Sequence, residues 1–276
     1  MLRLIVVSLV ALLISAGAYL ASLDARTQWF DPAPYLARAG FYDVRILRDE
    51  WGMPHIYGKR DADAAFGLAY AHAEDDFRTI QETVFLTRGT LGRVTGEAGA
   101  RTDYLVQAMG IWDSIRARYD TDIPADTRAV IEAYADGVNL YAAEHPEATL
   151  PGLTPVTGAD VVAGFAFRTP FFYGFGRTLE TLFTSTERPG TTAPGPTGAL
   201  YPGMDGFNIG SNAAALSPRR TADGATRLLV NSHQPWVGPV SWYEARIRSD
   251  EGWDMTGGVF PGSPFFLHGV GPHLGW

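Results

Sequence analysis

The order in which two periodicities occur along the chain constrains its fold most strongly. Upstream of a stretch crowded with Pro and Gly, from Glu187 to Gly210, apolar residues recur at helical spacing. Downstream they alternate in short runs separated by turn residues. Ala69, Ala73, Phe77, Ile80 and Val84, at intervals of 4, 4, 3 and 4, stack on one face of a helix expected from Ala62 to about Arg88, with Asp61 as its N-cap and Gly89 and Gly92 ending it. Val130, Tyr134, Val138 and Tyr141 mark a second helix, Ala125 to Glu144, bracketed by Pro124 and Pro146. A third is expected over Ala159 to Arg168, interrupted by Pro170, before the aromatic run Phe171-Phe172-Tyr173-Gly174-Phe175 and a short helix through Glu180 to Phe183. One hairpin precedes all of these: Val44 to Leu47, a turn at Asp49 to Pro54, then His55 to Tyr57.

After Gly210 the expected strands are Asn212–Leu216, Arg227–Asn231, Ser241–Arg248, Asp254–Val259 and Phe265–His268, with Asp223-Gly224 as a hairpin turn between the first two. Helices followed by consecutive strands imply an α+β fold with an antiparallel sheet. There is no internal repeat. Leu274-Gly275-Trp276 ends the chain without a polar tail or a closing turn, so the sequence reads as cut off.

Composition narrows the chemistry. With 46% apolar and 19% charged residues a sizeable core is affordable in sequence terms and global disorder is not expected. The formal net charge of −8, with no long basic run, argues against nucleic acid as a partner. Cysteine is absent, which removes thiol nucleophiles, thiolate metal sites and disulfides, and Lys59 is the only lysine. Arg3 followed by the apolar run Leu4 to Leu20 reads as an export signal over residues 1–25, with an uncleaved membrane anchor as the competing reading; either implies a periplasmic or extracellular protein.

Standard catalytic signatures are missing: the sequence has no GxSxG elbow, Walker loop, HExxH or GxGxxG. Gly269-Val270-Gly271-Pro272 misses the phosphate-loop pattern because of its proline. His268 and His273 read as turn-associated or partly buried histidines, with metal ligation as the lesser alternative. One juxtaposition stands out. Ser211 opens the first strand after the Pro/Gly stretch, and His233 lies just past the second. In an antiparallel meander those two ends come side by side.

Around these positions the sequence resembles the penicillin acylase family of N-terminal nucleophile hydrolases, nearest its acyl-homoserine-lactone and lipopeptide acylase branch. The resemblance rests on Val44-Arg45-Ile46-Leu47-Arg48-Asp49-Glu50-Trp51-Gly52-Met53-Pro54-His55-Ile56, on Ala64-Ala65-Phe66-Gly67-Leu68-Ala69-Tyr70-Ala71-His72-Ala73-Glu74-Asp75, and on Gly210-Ser211-Asn212, Leu229-Val230-Asn231-Ser232-His233 and Phe260-Pro261-Gly262-Ser263-Pro264. It implies an αββα four-layer sandwich, here incomplete, and a precursor that cuts itself between Gly210 and Ser211. Residues 26–187 would then be the small chain, 188–210 a discarded spacer, and 211–276 the start of the large chain that pairs with the small one. Ser211 would be the nucleophile, its freed α-amine the base, and His233 an orienting group beside that amine. The substrate would be a small N-acyl amide.

The resemblance also implies oxyanion-hole donors beyond Trp276, so the 276 residues alone are expected to be inactive. Phe167, Phe171, Phe172, Tyr173 and Phe175 match the acyl-pocket region, and core packing is an equal reading of them. Glu180 matches a calcium-binding carboxylate in some relatives, and a surface glutamate is an equal reading; no cofactor is required by the chemistry. His55 and His72 read as structural. Two other functions stay open. One is a membrane-tethered binding module that is never cut. The other is a hydrolase using an internal Ser–His pair.

Overall fold

The computed structural model describes residue 15 and residues 31–176, 178–179 and 210–276. The expected export signal, most of the Pro/Gly spacer, the helix through Glu180 to Phe183 and Glu180 itself lie outside the described residues. A short helix α1 (Ala33–Ala39) leads into β1 (Val44–Arg48) and β2 (Pro54–Gly58), followed by α2 (Asp61–Thr87), α3 (Gly92–Thr95), α4 (Glu97–Ala108), α5 (Ile111–Asp122), α6 (Ala125–Glu144) and α7 (Gly158–Phe172). Strands β3 (Gly210–Leu216), β4 (Arg227–His233), β5 (Tyr243–Ser249), β6 (Asp254–Val259) and β7 (Phe266–Val270) complete it. The class is α+β, as the order of periodicities implied.

The β1–β2 hairpin closes where the turn residues predicted. The Asp49 carboxylate accepts from the backbone amides of Trp51 (2.9 Å) and Met53 (3.0 Å), and Gly52 takes the positive φ of 84° that the turn requires. The sheet differs from the expected antiparallel meander. Its order is β1-β2-β5-β6-β7, and β2 pairs in parallel with β5, His55 to Arg246 through Gly58 to Ser249. Strands β3 and β4 do not join it edge to edge; they pair with each other as a two-stranded ribbon. A parallel pair needs a long crossover, and the helical segment between β2 and β5 provides one. The five-stranded sheet therefore contains strands from both sides of the Pro/Gly stretch.

Helix α2 lies on this sheet. All five residues of its expected stripe are buried, and its first half is buried nearly all round because Ala64, Ala65, Gly67, Ala69, Ala71 and Ala73 let neighbours approach closely. On α6, Gly137 faces Phe66 and Ala69 so tightly that a Cβ there would overlap the Phe66 carbonyl oxygen. The helix starts one residue earlier than expected. Arg60 occupies the N-cap, its amide held by the Asp63 carboxylate at 3.0 Å. Asp61 instead meets residues downstream of the Pro/Gly stretch: its carboxylate accepts from the Ser249 hydroxyl, 2.5 Å away, and its amide donates to Glu251 at 2.8 Å. Asp76 departs from helical geometry and kinks α2.

Two expectations about helices need correction. Helix α7 runs through Pro170 to Phe172, because the proline sits in the last turn, where it removes one donor near an end rather than in the middle. Residues 92–122, left unassigned by periodicity, form three helices separated at Gly96 and Gly110, both with positive φ. They bury few residues (Gly99, Thr102 and Val106 in α4; Ile111 and Ile115 in α5), so their apolar stripe is too thin to read from sequence.

The core joins Ile56, Ala245, Ile247, Val259 and Phe266 of the sheet to the helices. The segment between α6 and α7 is pinned by side chains that satisfy its backbone. Gln81 bonds the Ala148 carbonyl and the Leu150 amide (3.1 and 2.6 Å), and Asn139 bonds the carbonyl and amide of Val156 (2.7 and 2.8 Å).

Candidate active site

The β3–β4 ribbon carries Ser211 and His233. Its turn is built locally. Asp223 pairs with Arg227 at 2.7 Å and accepts from the Ala225 amide at 3.2 Å, and Gly224 has φ of 68°. The register sets Gly210 opposite His233, Ser211 opposite Ser232 and Asn212 opposite Asn231. The sequence expectation that the two strand ends come side by side is met. Successive side chains in a strand point to opposite faces. Ser211 therefore shares a face with Ser232, and His233 lies on the other face with Asn231 and Asn212. What the pairing brings beside His233 is Gly210, so the Gly210–Ser211 peptide bond, rather than the serine hydroxyl, is its neighbour. Ser211 itself is exposed.

Two partners were not singled out from sequence. Asn231 Nδ2 lies 3.0 Å from His233 Nε2. The amide and the imidazole are within hydrogen-bond distance, and which of them donates depends on the imidazole tautomer. On the opposite face the Ser232 hydroxyl is hydrogen-bonded to His268 Nδ1 of β7. A motif could reveal Asn231, two residues before His233. No sequence signal pointed from Ser232 to His268, 36 positions away.

The aromatic segment splits. Phe167 is buried among the core residues, and Phe171 packs between it and Phe175 with tilted rings, centroids 5.1 and 5.4 Å apart. Phe172 and Tyr173 are exposed, at 50% and 85%. Phe172 stacks on Phe260 (5.9 Å, 3°), Phe260 on Trp242 (4.3 Å), and Trp242 meets His268 edge-on (5.6 Å, 80°). A chain of rings thus runs from the end of α7 to the histidine that holds Ser232. Arg168 covers the other side of Phe260 at 5.7 Å and donates to the Pro261 carbonyl at 2.5 Å. Phe167 serves core packing, and Phe172 lies at the surface, stacked on Phe260.

Beneath these rings His72 is fully buried and stacked on Tyr243 (3.9 Å, 5°). Burial, reinforced by the Arg168 charge, pushes its pKa from 6.5 down to about 3. Tyr243 donates to Asp75 at 2.6 Å, and burial with that carboxylate pushes its phenol above the ordinary range. Asp75 and Glu74 also pair with Arg48 at 2.8 and 2.9 Å. His55 lies in the hairpin, 3.4 Å from Asp49. Among the described residues no group of three His, Asp or Glu side chains is arranged to hold a metal.

The buried imidazole has a measurable consequence. Its folded pKa lies below its unfolded value, so between about pH 3 and 6.5 the unfolded state binds the extra proton. Its contribution to stability is complete above pH 6.5 and is lost as pH falls toward 3. The denaturation midpoint of the full-length protein should therefore drop more steeply on acidification than that of His72→Phe. Parallel profiles for the two proteins would contradict this.

The penicillin amidase family model matches residues 43–276. An acyl-homoserine lactone acylase PvdQ from Pseudomonas fluorescens (strain Pf0-1) is 26% identical over 281 residues, covering 95% of this chain and 35% of the relative. Aculeacin-A acylase from Actinoplanes utahensis is 26% identical over 284 residues, covering 89% of this chain and 34% of the relative. The penicillin acylase 2 proenzyme of Pseudomonas sp. (strain SE83) is 26% identical over 269 residues, covering 82% and 34%. A solved thermostable penicillin G acylase from Alcaligenes faecalis aligns at 23% identity and a TM-score of 0.39, over 56% of this chain and 99% of that one. The chain spans about a third of the length of the curated relatives it matches. With the family model extending from the β1–β2 hairpin through the ribbon to Trp276, the chain belongs to the penicillin amidase family.

Proposed function

We propose that these residues belong to an exported amidohydrolase made as one precursor, cut before Ser211, that hydrolyses the amide of an N-acyl substrate through an acyl-enzyme. The observation that carries this reading is the setting of the Gly210–Ser211 bond. It opens an exposed strand directly after the Pro/Gly stretch, and the register pairs it with His233. Once the bond is cut, Ser211 gains an α-amine with a reference pKa of about 7.7–8.0. That amine takes the hydroxyl proton while Oγ attacks the amide carbonyl. The leaving amine departs with a proton, and water then releases the acid and restores the serine. His233 orients and tunes the amine.

Cutting does not separate the two chains in this reading. The β2–β5 pairing, the Tyr243–Asp75 bond and the Ser249–Asp61 bond all join residues upstream of the cut to residues downstream of it. The oxyanion-hole donors come from sequence outside these residues, so the 276-residue piece is inactive alone. The named activities of the relatives support an N-acyl amide substrate, with Phe172 as the acyl contact. Residues 1–25 direct export or anchor the protein.

Mass analysis of the mature full-length protein tests the reading. Two co-purifying chains are expected, one beginning at Ser211. A single uncut chain that still binds an acylated ligand would overturn it and favour the binding-module reading.

A further inference from the structure

We propose that His268 is a positioning residue for Ser211, acting through Ser232. The proposal rests on the reading of Ser211 as the nucleophile. Ser232 is the residue directly across the ribbon from Ser211 and shares its face. On β4, Val230 and Ser232 of that face are half-buried while Leu228 is exposed, and Leu229, Asn231 and His233 of the other face are all exposed. Strand β3 is paired to β4 along its whole length, so its position is coupled to that of β4.

Among the described residues, contacts at both ends of β4 hold it. At its start, Leu228 packs against Gly275, where a side chain would overlap it. At its end, beside the nucleophile, the Ser232 hydroxyl bonds His268 Nδ1. His268 is itself held. It pairs with Gly258 in β6, and Trp242 packs flat on Gly258, where a Cβ would lie 2.7 Å from the indole. The edge of the same indole meets the imidazole. The line Ser211–Ser232–His268–Trp242 therefore ties the ribbon to the five-stranded sheet. Displacing a reacting group by about 1 Å costs on the order of 100-fold in rate. Loss of this tether is expected to fall in that range.

The test uses the full-length protein and a reagent that needs no knowledge of the substrate. Phenylmethylsulfonyl fluoride modifies an activated serine: Ser211 Oγ bonds sulfur, fluoride leaves, and the hydroxyl proton passes to the α-amine. The rate of labelling at Ser211 is followed by mass. His268→Ala and Ser232→Ala should each slow labelling by about 10–100-fold. The double variant should be no slower than either single one, because both break the same bond. His268→Asn, which can place a hydrogen-bonding atom near the position of Nδ1, should recover most of the rate. A general loss of folding would not be rescued in this pattern, and thermal midpoints measured alongside should stay close to wild type. Wild-type labelling rates in the single variants, or additive losses in the double variant, would overturn the proposal while leaving the nucleophile reading intact. Absence of any chain beginning at Ser211 in the wild-type protein would overturn both.

Discussion

Ser211→Ala in the full-length protein is expected to leave one uncut chain and to lower amide hydrolysis by roughly 10³- to 10⁶-fold, down to the background that binding and oxyanion stabilisation alone provide. The substitution removes a single oxygen from an exposed position at the start of β3, so it should not disturb folding. Both expected losses trace to that oxygen. Without the hydroxyl the precursor has no group at the cut, and without the cut no α-amine is freed. The two effects separate in Ser211→Cys, which retains a nucleophile and should still be cut, at a rate set by the different pKa of a thiol. A denaturing gel and intact mass read the processing, and release from a fatty-acyl para-nitroanilide reads the hydrolysis. Normal processing of Ser211→Ala would end the nucleophile reading.

The second large effect concerns stability. Arg88, at the end of α2, donates to both oxygens of Asp160 (2.7 and 2.9 Å) and to the carbonyls of Gly152, Leu153 and Pro155 (3.1, 2.6 and 2.6 Å). Asp160 is buried and also caps α7 by accepting from the Thr157 amide at 2.8 Å. Arg88→Met keeps the apolar stem and deletes the guanidinium. It leaves a buried carboxylate without its cation and three carbonyls short of a donor. Breaking a buried pair in this way costs about 3–5 kcal/mol. Urea denaturation of the full-length protein should register the loss as a lower midpoint. Adding Asp160→Asn to Arg88→Met should recover part of it, because the orphaned charge is then gone while the amide can still serve the cap. A midpoint unchanged by Arg88→Met would show that the clamp contributes nothing to the fold.

Legibility in the sequence followed the range of the interaction. Helices α2 and α6 were readable because each buries a regular stripe, and a stripe is a local pattern. Helices α4 and α5 escaped because they bury too little to make one. Pro170 misled for the opposite reason: the rule about proline is local, but its cost depends on distance from the helix end. The β3–β4 register followed from a turn that Asp223 and Gly224 build with near neighbours. The parallel β2–β5 pair did not follow, since nothing at residues 55–58 announces a partner near 246–249.

The candidate site divides in the same way. Ser211 and His233 were legible from a motif and a hairpin. That they occupy opposite faces of the ribbon follows from the two-residue period of a strand once the register is known. The separation of Phe167 into the core from Phe172 at the surface was not legible, since both are Phe on one helix and only the packing of α7 distinguishes them. The tether from Ser232 to His268 was invisible for a different reason. It depends on how a ribbon and a sheet come together, and neither residue carries a mark of the other.

By itself, then, the order of residues determined the α+β class, the long buried helices, the turn that pairs Ser211 with Ser232, and the family. Tertiary structure alone decided that strands from both sides of the Pro/Gly stretch share one sheet, which aromatic side chains of α7 are buried and which exposed, and that Ser232 meets His268. The physical reason is that periodicity and turn chemistry act over a few residues, whereas strand partnership and side-chain contact across elements arise only when the whole chain has found the packing that buries its apolar faces.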